Sequence, residues 1–278
     1  MKDCPRCASA QAWVLGDGRF KCRACGRRYS WTSVWDSARL SEPAKHALLD
    51  AFVRGVPAAQ STVEQACADS RERFYRLIRA CCAQRERPAR DALAIAHCPA
   101  AGTRSAMRGW STSQQVIVLG IAERNGNVRI SAPAGDIQEI LPLLRERTAV
   151  GGVVQLSGAQ AYACLQIQGD YVSVPRTTRA PLALGTAHEF WHHARTHLQM
   201  FRKIPLKFFP LYLAETCLRF NHRAEDLRTL LRDYMSSTSS GEVKLLLRGE
   251  GVNPIVRLHR AESVFQTATC GASQSGAS

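Results

Sequence analysis

The sequence contains no apolar run near the about 18 residues that a membrane-spanning helix requires, and it is short of acid, with 23 Asp and Glu against 37 Lys and Arg. The first shortage leaves no segment for a membrane span. The opening residues MKDCPRC carry no apolar signal region either, so the expected location is the cytoplasm, in association with the nucleoid. The second shortage leaves a formal net charge of +14 and a pI near 9.7. Such an excess attracts polyanions, double-stranded DNA above all. With 278 residues, 45% of them hydrophobic, the chain can bury one sizeable core and carry a small extra module.

A disulfide framework is excluded on similar grounds: the 11 cysteines are odd in number, and the chain is long and lacks an export signal. Their spacing points to metal. Cys4-Pro-Arg-Cys7 and Cys22-Arg-Ala-Cys25 are two CxxC knuckles with Gly16 and Gly18 at a turn between them. Each knuckle offers two thiolates along one edge of a tetrahedron, and two facing knuckles complete a structural zinc site. Residues 1–33 therefore read as a zinc ribbon. Cys67, Cys81, Cys82, Cys98, Cys164, Cys217 and Cys270 are scattered, mostly in apolar surroundings, and read as small core residues.

Arg27 and Arg28 follow the second knuckle. Ser41-Glu-Pro then opens a helix that runs to about Gly55 and buries Leu48, Leu49, Phe52 and Val53. STVE at 61–64 is a capping-box pattern for a second short helix, and a third runs from about Asp69 to Cys82. Residues 38–86 thus read as a helix-turn-helix. On its third helix Phe74, Leu77, Ile78 and Cys81 keep the spacing of a buried stripe, which sends Arg71, Arg73, Arg76 and Arg79 outward. Four arginines on one exposed helix suit phosphates and guanine edges; the competing reading is a solvated basic face. The arginine-rich residues 84–90 read as a linker.

From 91 the pattern changes to short apolar runs, predicted as strands at 92–98, 115–121, 128–132 and 153–157, with RNGN at 124–127 as a hairpin turn. A helix over 137–147 turns Ile140, Leu141 and Leu144 inward, and helices follow over 186–201 and about 207–234. Residues 91–235 so form a mixed α/β layer. Residues 236–278, from SSTSSG to GASQSGAS, read as a mostly disordered tail apart from a short patch at 243–247.

Several blocks carry a family resemblance: Phe190-Trp191, Phe201, Ile204-Pro205, Phe209, Leu211, Leu213, Glu215 and RFNHR at 219–223, together with VLGIAE at 118–123 and LSGAQAY at 156–162. With the ribbon and helix-turn-helix ahead of them, residues 1–232 resemble the zinc-ribbon insertion-sequence transposases of the ISXO-like group. The resemblance implies an α/β fold class: an N-terminal zinc ribbon and helix-turn-helix followed by a ribonuclease H-like mixed-sheet domain. It also implies DNA cutting and joining with divalent metal such as magnesium, held by hard carboxylate oxygens that activate the attacking oxygen and stabilise the leaving one.

The family's ligand positions fall on Ala96 at the first strand, Ser157 at the fourth, and Gly185 and His188 at the start of the late helix. None of these is a carboxylate, so the resemblance implies a chain that has lost strand transfer and acts on DNA as a regulator or accessory factor, alone or as a homodimer. The competing reading is a working transposase using Asp91, Asp136 or Asp170. A more remote one starts from HEFWH at 188–192, whose HExxH pattern sets His188 and His192 one helical turn apart for zinc, with Glu189 as base and Glu215, Asp226 or His197 as third ligand. His188 and His192, with His97, are on this reading a second metal site.

Overall fold

The structure is a computed structural model that describes residues 4, 6, 7, 9–85, 93–98, 114–131, 137–147, 151–157, 160–175, 185–201, 203–248 and 255–257. Asp91 and Asp136 lie outside these residues. Strands β1 (Ala12–Val14), β2 (Phe20–Cys22) and β3 (Arg28–Tyr29) form a three-stranded antiparallel sheet in that order. Side chains alternate across it, so Phe20, Cys22 and Tyr29 turn inward with Cys4 to make a small core of their own.

Helices α1 (Val34–Ser37), α2 (Glu42–Val53) and α3 (Ala68–Arg85) follow. The Ser41 side chain accepts from the Ala44 N–H, capping α2 as the sequence indicates, with Pro43 in the first turn. STVE does not open a helix. A single 3-10 turn at Ala58–Gln60 precedes it, and Ser61 is buried, which takes its side chain out of the capping role that the pattern requires. Residues 54–67 thus separate α2 from α3, a longer connection than the 3–4-residue turn of a tight helix-turn-helix.

The second sheet contains β4 (Leu93–Cys98), β5 (Gln114–Arg124), β6 (Asn127–Ser131), β7 (Val153–Ser157), β8 (Gln160–Gln168), β9 (Tyr171–Ser173), β10 (Ile204–Pro205) and β11 (Ile255–Arg257). Its order is β10-β9-β8-β5-β4-β11, with β6 also on β5 and β7 on β8. Pairing is antiparallel except between β11 and β4. Asn125 and Gly126 both take positive φ, 54° and 75°, as the two-residue hairpin between β5 and β6 demands.

Between the strands and after them lie α4 (Ile137–Arg147), α5 (Thr186–Gln199), α6 (Phe209–Asn221), α7 (Leu227–Ser237) and α8 (Lys244–Arg248). Strand alternation divides the sheet's two faces. Val116, Val118, Tyr162 and Cys164 meet Ile140, Leu141 and Leu144 of α4, while Ile117, Leu119, Ile121, Ala161, Ala163 and Leu165 join the main core against α5 and α6. Sheet and helices together make the mixed α/β layer.

That main core runs without a break from Val34 and Trp35 through Phe74 and Ile78 to Phe190, Phe209 and Leu246. The helices of residues 38–86 therefore do not bury a core apart from the layer that follows. Two stretches of the expected tail, 236–248 and 255–257, are also built in. Val34 and Thr238 share a backbone hydrogen bond, as do Ser240 and Thr32, and Val243 and Leu246 are buried. The short patch at 243–247 reads as isolated in sequence because its apolar partners lie more than a hundred residues away.

Candidate metal centre and nucleic-acid interface

The ribbon's two knuckles are shaped by backbone hydrogen bonds, Cys4 N–H to Ser9 O and Cys22 N–H to Arg27 O, each 2.9 Å, and by Gly26 at φ 70°. They bring the sulfurs of Cys4, Cys7, Cys22 and Cys25 within 4.8 Å of one another, with Cys4–Cys25 and Cys7–Cys22 each at 3.5 Å. A tetrahedral zinc with bonds of about 2.3 Å has sulfur–sulfur edges of about 3.8 Å. The set fits that ion. The Cys25 backbone N–H donates to the Cys22 sulfur and lowers its pKa to about 6, against the opposing effect of burial. A Ser9 backbone hydrogen bond pulls Cys7 down, but the sulfurs of Cys22 and Cys25 outweigh it and push that thiol up to about 12. Four sulfurs this close could hold a soft metal ion, and the thiols would ionise as it loads.

The arginines expected to face DNA are placed differently from one another. Arg27, Arg28 and Arg73 are exposed. Arg71 is half-buried and donates to the Ala66 carbonyl at 3.1 Å. Arg76, also half-buried, lies over the Phe208 ring at 4.3 Å and 3.8 Å from Glu72. Arg79 is the correction: at 2% exposure it belongs to the core and presents nothing to a phosphate. The helix is buried on all sides from Leu77 to Ala83, because it packs between the N-terminal helices and α6 and α7, an arrangement that its own stripe of apolar residues cannot reveal.

Arg79 instead donates through Nε to Glu215 Oε2 at 2.7 Å, and its guanidinium lies 3.9 Å from the Tyr212 ring centre. Arg219 Nε donates to Glu215 Oε1 at 2.8 Å, and its Nη atoms reach the Val53 and Phe52 carbonyls at the end of α2. His197 Nε2 lies 3.2 Å from the same carboxylate oxygen. Burial alone would raise the Glu215 pKa, but Arg79, His197 and Arg219 outweigh it and hold the carboxyl well below its usual range. Glu215 therefore joins α2, α3, α5 and α6. An acid amid FPLYLAETCLRF was the sequence signal for it.

Other residues of the resemblance blocks also hold the framework. The Asn221 side chain donates to the Val128 carbonyl at 3.0 Å and accepts from its N–H at 2.8 Å, while Trp191 Nε1 donates to Gly151 O at 2.8 Å. Phe190 meets Phe220 edge-on at 5.4 Å. These contacts tie helices α5 and α6 to the sheet.

The four positions matched to catalytic ligands do not form one cluster. Ala96 pairs with Val116, whereas Ser157 pairs with Gln160 and that residue with Ala122. At about 3.4 Å per residue and about 4.8 Å between strands, the two backbones are roughly 20 Å apart along the sheet and roughly 14 Å across it. The reason is that β7 turns back on β8 instead of lying beside β4. Gly185 and His188 sit at the Ser157 end: a side chain at Gly185 would meet Gln155, and Thr186 Oγ1 donates to Glu123 at 2.8 Å. Gly185 has φ 136°, a conformation that side chains disfavour.

Among the described residues, the four ribbon cysteines are the one group of three or more His, Cys, Asp or Glu close enough to share an ion. His188 is half-buried and His192 exposed on α5, with no third ligand drawn to them; Glu215 is taken by the arginines. Asp170 lies exposed in the turn between β8 and β9. The ribbon's outer residues Trp13, Lys21 and Arg23 were missed in the sequence, although the alternation in AWV and FKC carries the signal. No helix among the described residues is long and apolar enough to cross a membrane.

A four-cysteine ribbon joined to a mixed α/β layer defines the class of protein. The chain is 30% identical over 87 residues to an uncharacterized transposase-like protein of Haemophilus influenzae, a match that covers 30% of this chain and 71% of that protein. The chain belongs to the transposase-like proteins. No protein-family model and no solved structure matches it.

Proposed function

We propose that this chain is a transposase-derived protein that binds double-stranded DNA without cutting it, serving as a regulator or accessory factor, with zinc in the ribbon. The reading treats residues 38–86 as the descendant of a helix-turn-helix and the mixed sheet as the descendant of a ribonuclease H-like domain. The observation that carries it is the pairing of a basic four-cysteine ribbon, with seven Lys and Arg against two Asp in residues 1–33, with a sheet and a late helix whose matched ligand positions hold Ala96, Ser157, Gly185 and His188. Arg27, Arg28 and Arg73 are the contacts best supported by exposure, and Arg71 and Arg76 serve at the edge of that surface.

The test is an electrophoretic shift on duplex DNA across a salt series, joined to a strand-transfer assay with magnesium or manganese. Affinity falls steeply with salt if lysines and arginines displace counterions from phosphates. No shift on any duplex sinks the reading, and robust joining replaces it with a working transposase that draws its carboxylates from elsewhere. Two zinc ions per chain instead of one would restore the His188–His192 site. A homodimer is tested by sedimentation with and without DNA.

A further inference from the structure

The ribbon sheet has two unlike faces. Register pairs Trp13 with Lys21 and Lys21 with Arg28, so one residue from each strand falls in a row on the face opposite Phe20, Cys22 and Tyr29. The ladder continues at Arg23, whose N–H donates to Gln11 O at 2.9 Å and whose guanidinium lies 5.2 Å from the Trp13 ring centre. Trp13 is 49% exposed, which is unusual for the largest apolar side chain. Lys21 is half-buried, and Arg23 and Arg28 are exposed.

An indole held open beside three cations has a definite chemical complement. Its flat face takes the π-face of a base, and the cations take the phosphates on either side. In a duplex the base faces are already stacked on one another, so only an unpaired nucleotide can offer that surface. Strand spacing of about 4.8 Å places the Lys21 and Arg28 backbones roughly 5 and 10 Å from Trp13, within reach of neighbouring phosphates for long side chains. We infer that the Trp13–Lys21–Arg28 face of the ribbon, capped by Arg23, is a binding platform for single-stranded nucleic acid. This rests on the nucleic-acid reading above and deepens it by adding a second form: unpaired strand across the Trp13 face of the ribbon, duplex at Arg27 and at the exposed Arg73 of α3, with Arg28 between the two and serving both.

Fluorescence anisotropy of the full-length, zinc-loaded protein tests it with two labelled probes, a short thymidine oligonucleotide and a mixed-sequence duplex. Trp13→Ala is expected to weaken binding of the single strand by roughly five- to a hundredfold, the range for losing one base stack, and to leave duplex binding within about twofold. Trp13→Phe retains most of the single-strand affinity, and Lys21→Gln with Arg28→Gln steepens the loss. Zinc content measured on each variant confirms that the ribbon is formed, since Trp13 lies on the face away from the cysteines. The inference is overturned if Trp13→Ala leaves single-strand binding intact, or weakens both probes equally, or abolishes self-association instead. Wild-type protein that binds duplex alone also overturns it while the duplex reading stands; protein that binds neither probe ends both.

Discussion

The ribbon and helix α3 are both rich in arginine, and they use it in opposite ways. On the ribbon, Arg23, Arg27 and Arg28 stand in solvent, and Arg23 lies against an open Trp13. On α3, Arg79 is sealed among Phe52, Tyr75, Phe201 and Tyr212 and neutralised by Glu215. The ribbon is too small to bury a long cationic side chain, whereas α3 runs through the middle of a core. Net charge thus overstates what is offered to a polyanion, because a cation paired inside the fold adds to the sum and not to the surface field.

The largest effect that would break this contrast is at Glu215. Glu215→Ala leaves Arg79 and Arg219 without their counterion, and a stability loss of about 3–5 kcal/mol in urea unfolding is expected. A loss below about 1 kcal/mol would mean that the pair behaves like a surface contact. Next in size is removal of zinc. Chelation, or Cys22→Ser, abolishes ordering of the ribbon and binding through it, while far-ultraviolet circular dichroism retains the helical signal of the main core. One zinc per chain is expected by elemental analysis of the intact protein.

Smaller changes sharpen the same comparison. Arg27→Gln and Arg28→Gln each lower the salt slope of duplex binding by about one and leave the unfolding midpoint unchanged; a shifted midpoint with an unchanged slope would assign them to the framework. The smallest effect is on pH. Burial first, then His197 and Arg219, depress the His193 pKa. A histidine depressed on folding lends stability that is complete above its unfolded value, about 6.5, and is lost as pH falls through the folded one. Glu215 is depressed too, so its contribution is whole above about 4.3 and declines only below that. Stability therefore declines in two stages on acidification, and His193→Phe removes the upper stage alone.

Much of the fold was legible because it is local. The CxxC spacing, the Ser41 cap, the Asn125–Gly126 turn and the 3.6-residue stripe of 137–147 each depend on neighbours in sequence. Strand β8 was passed over, since YACLQI is mostly buried on both faces and lacks the alternation that marks a half-exposed strand, and β9 (Tyr171–Ser173) is too short to show any periodicity. The pairing of β7 with β8, which keeps Ser157 far from Ala96, is a choice of partner that no single strand encodes.

The amino-acid sequence by itself determined the four-cysteine site, the excess of positive charge and the transposase-like kinship, because each of these is written in residue type and short spacing. Tertiary structure alone decided which arginines reach solvent. Desolvating a guanidinium is tolerable only where a carboxylate and aromatic faces meet it, and Arg79 finds them on a helix 136 residues further along the chain.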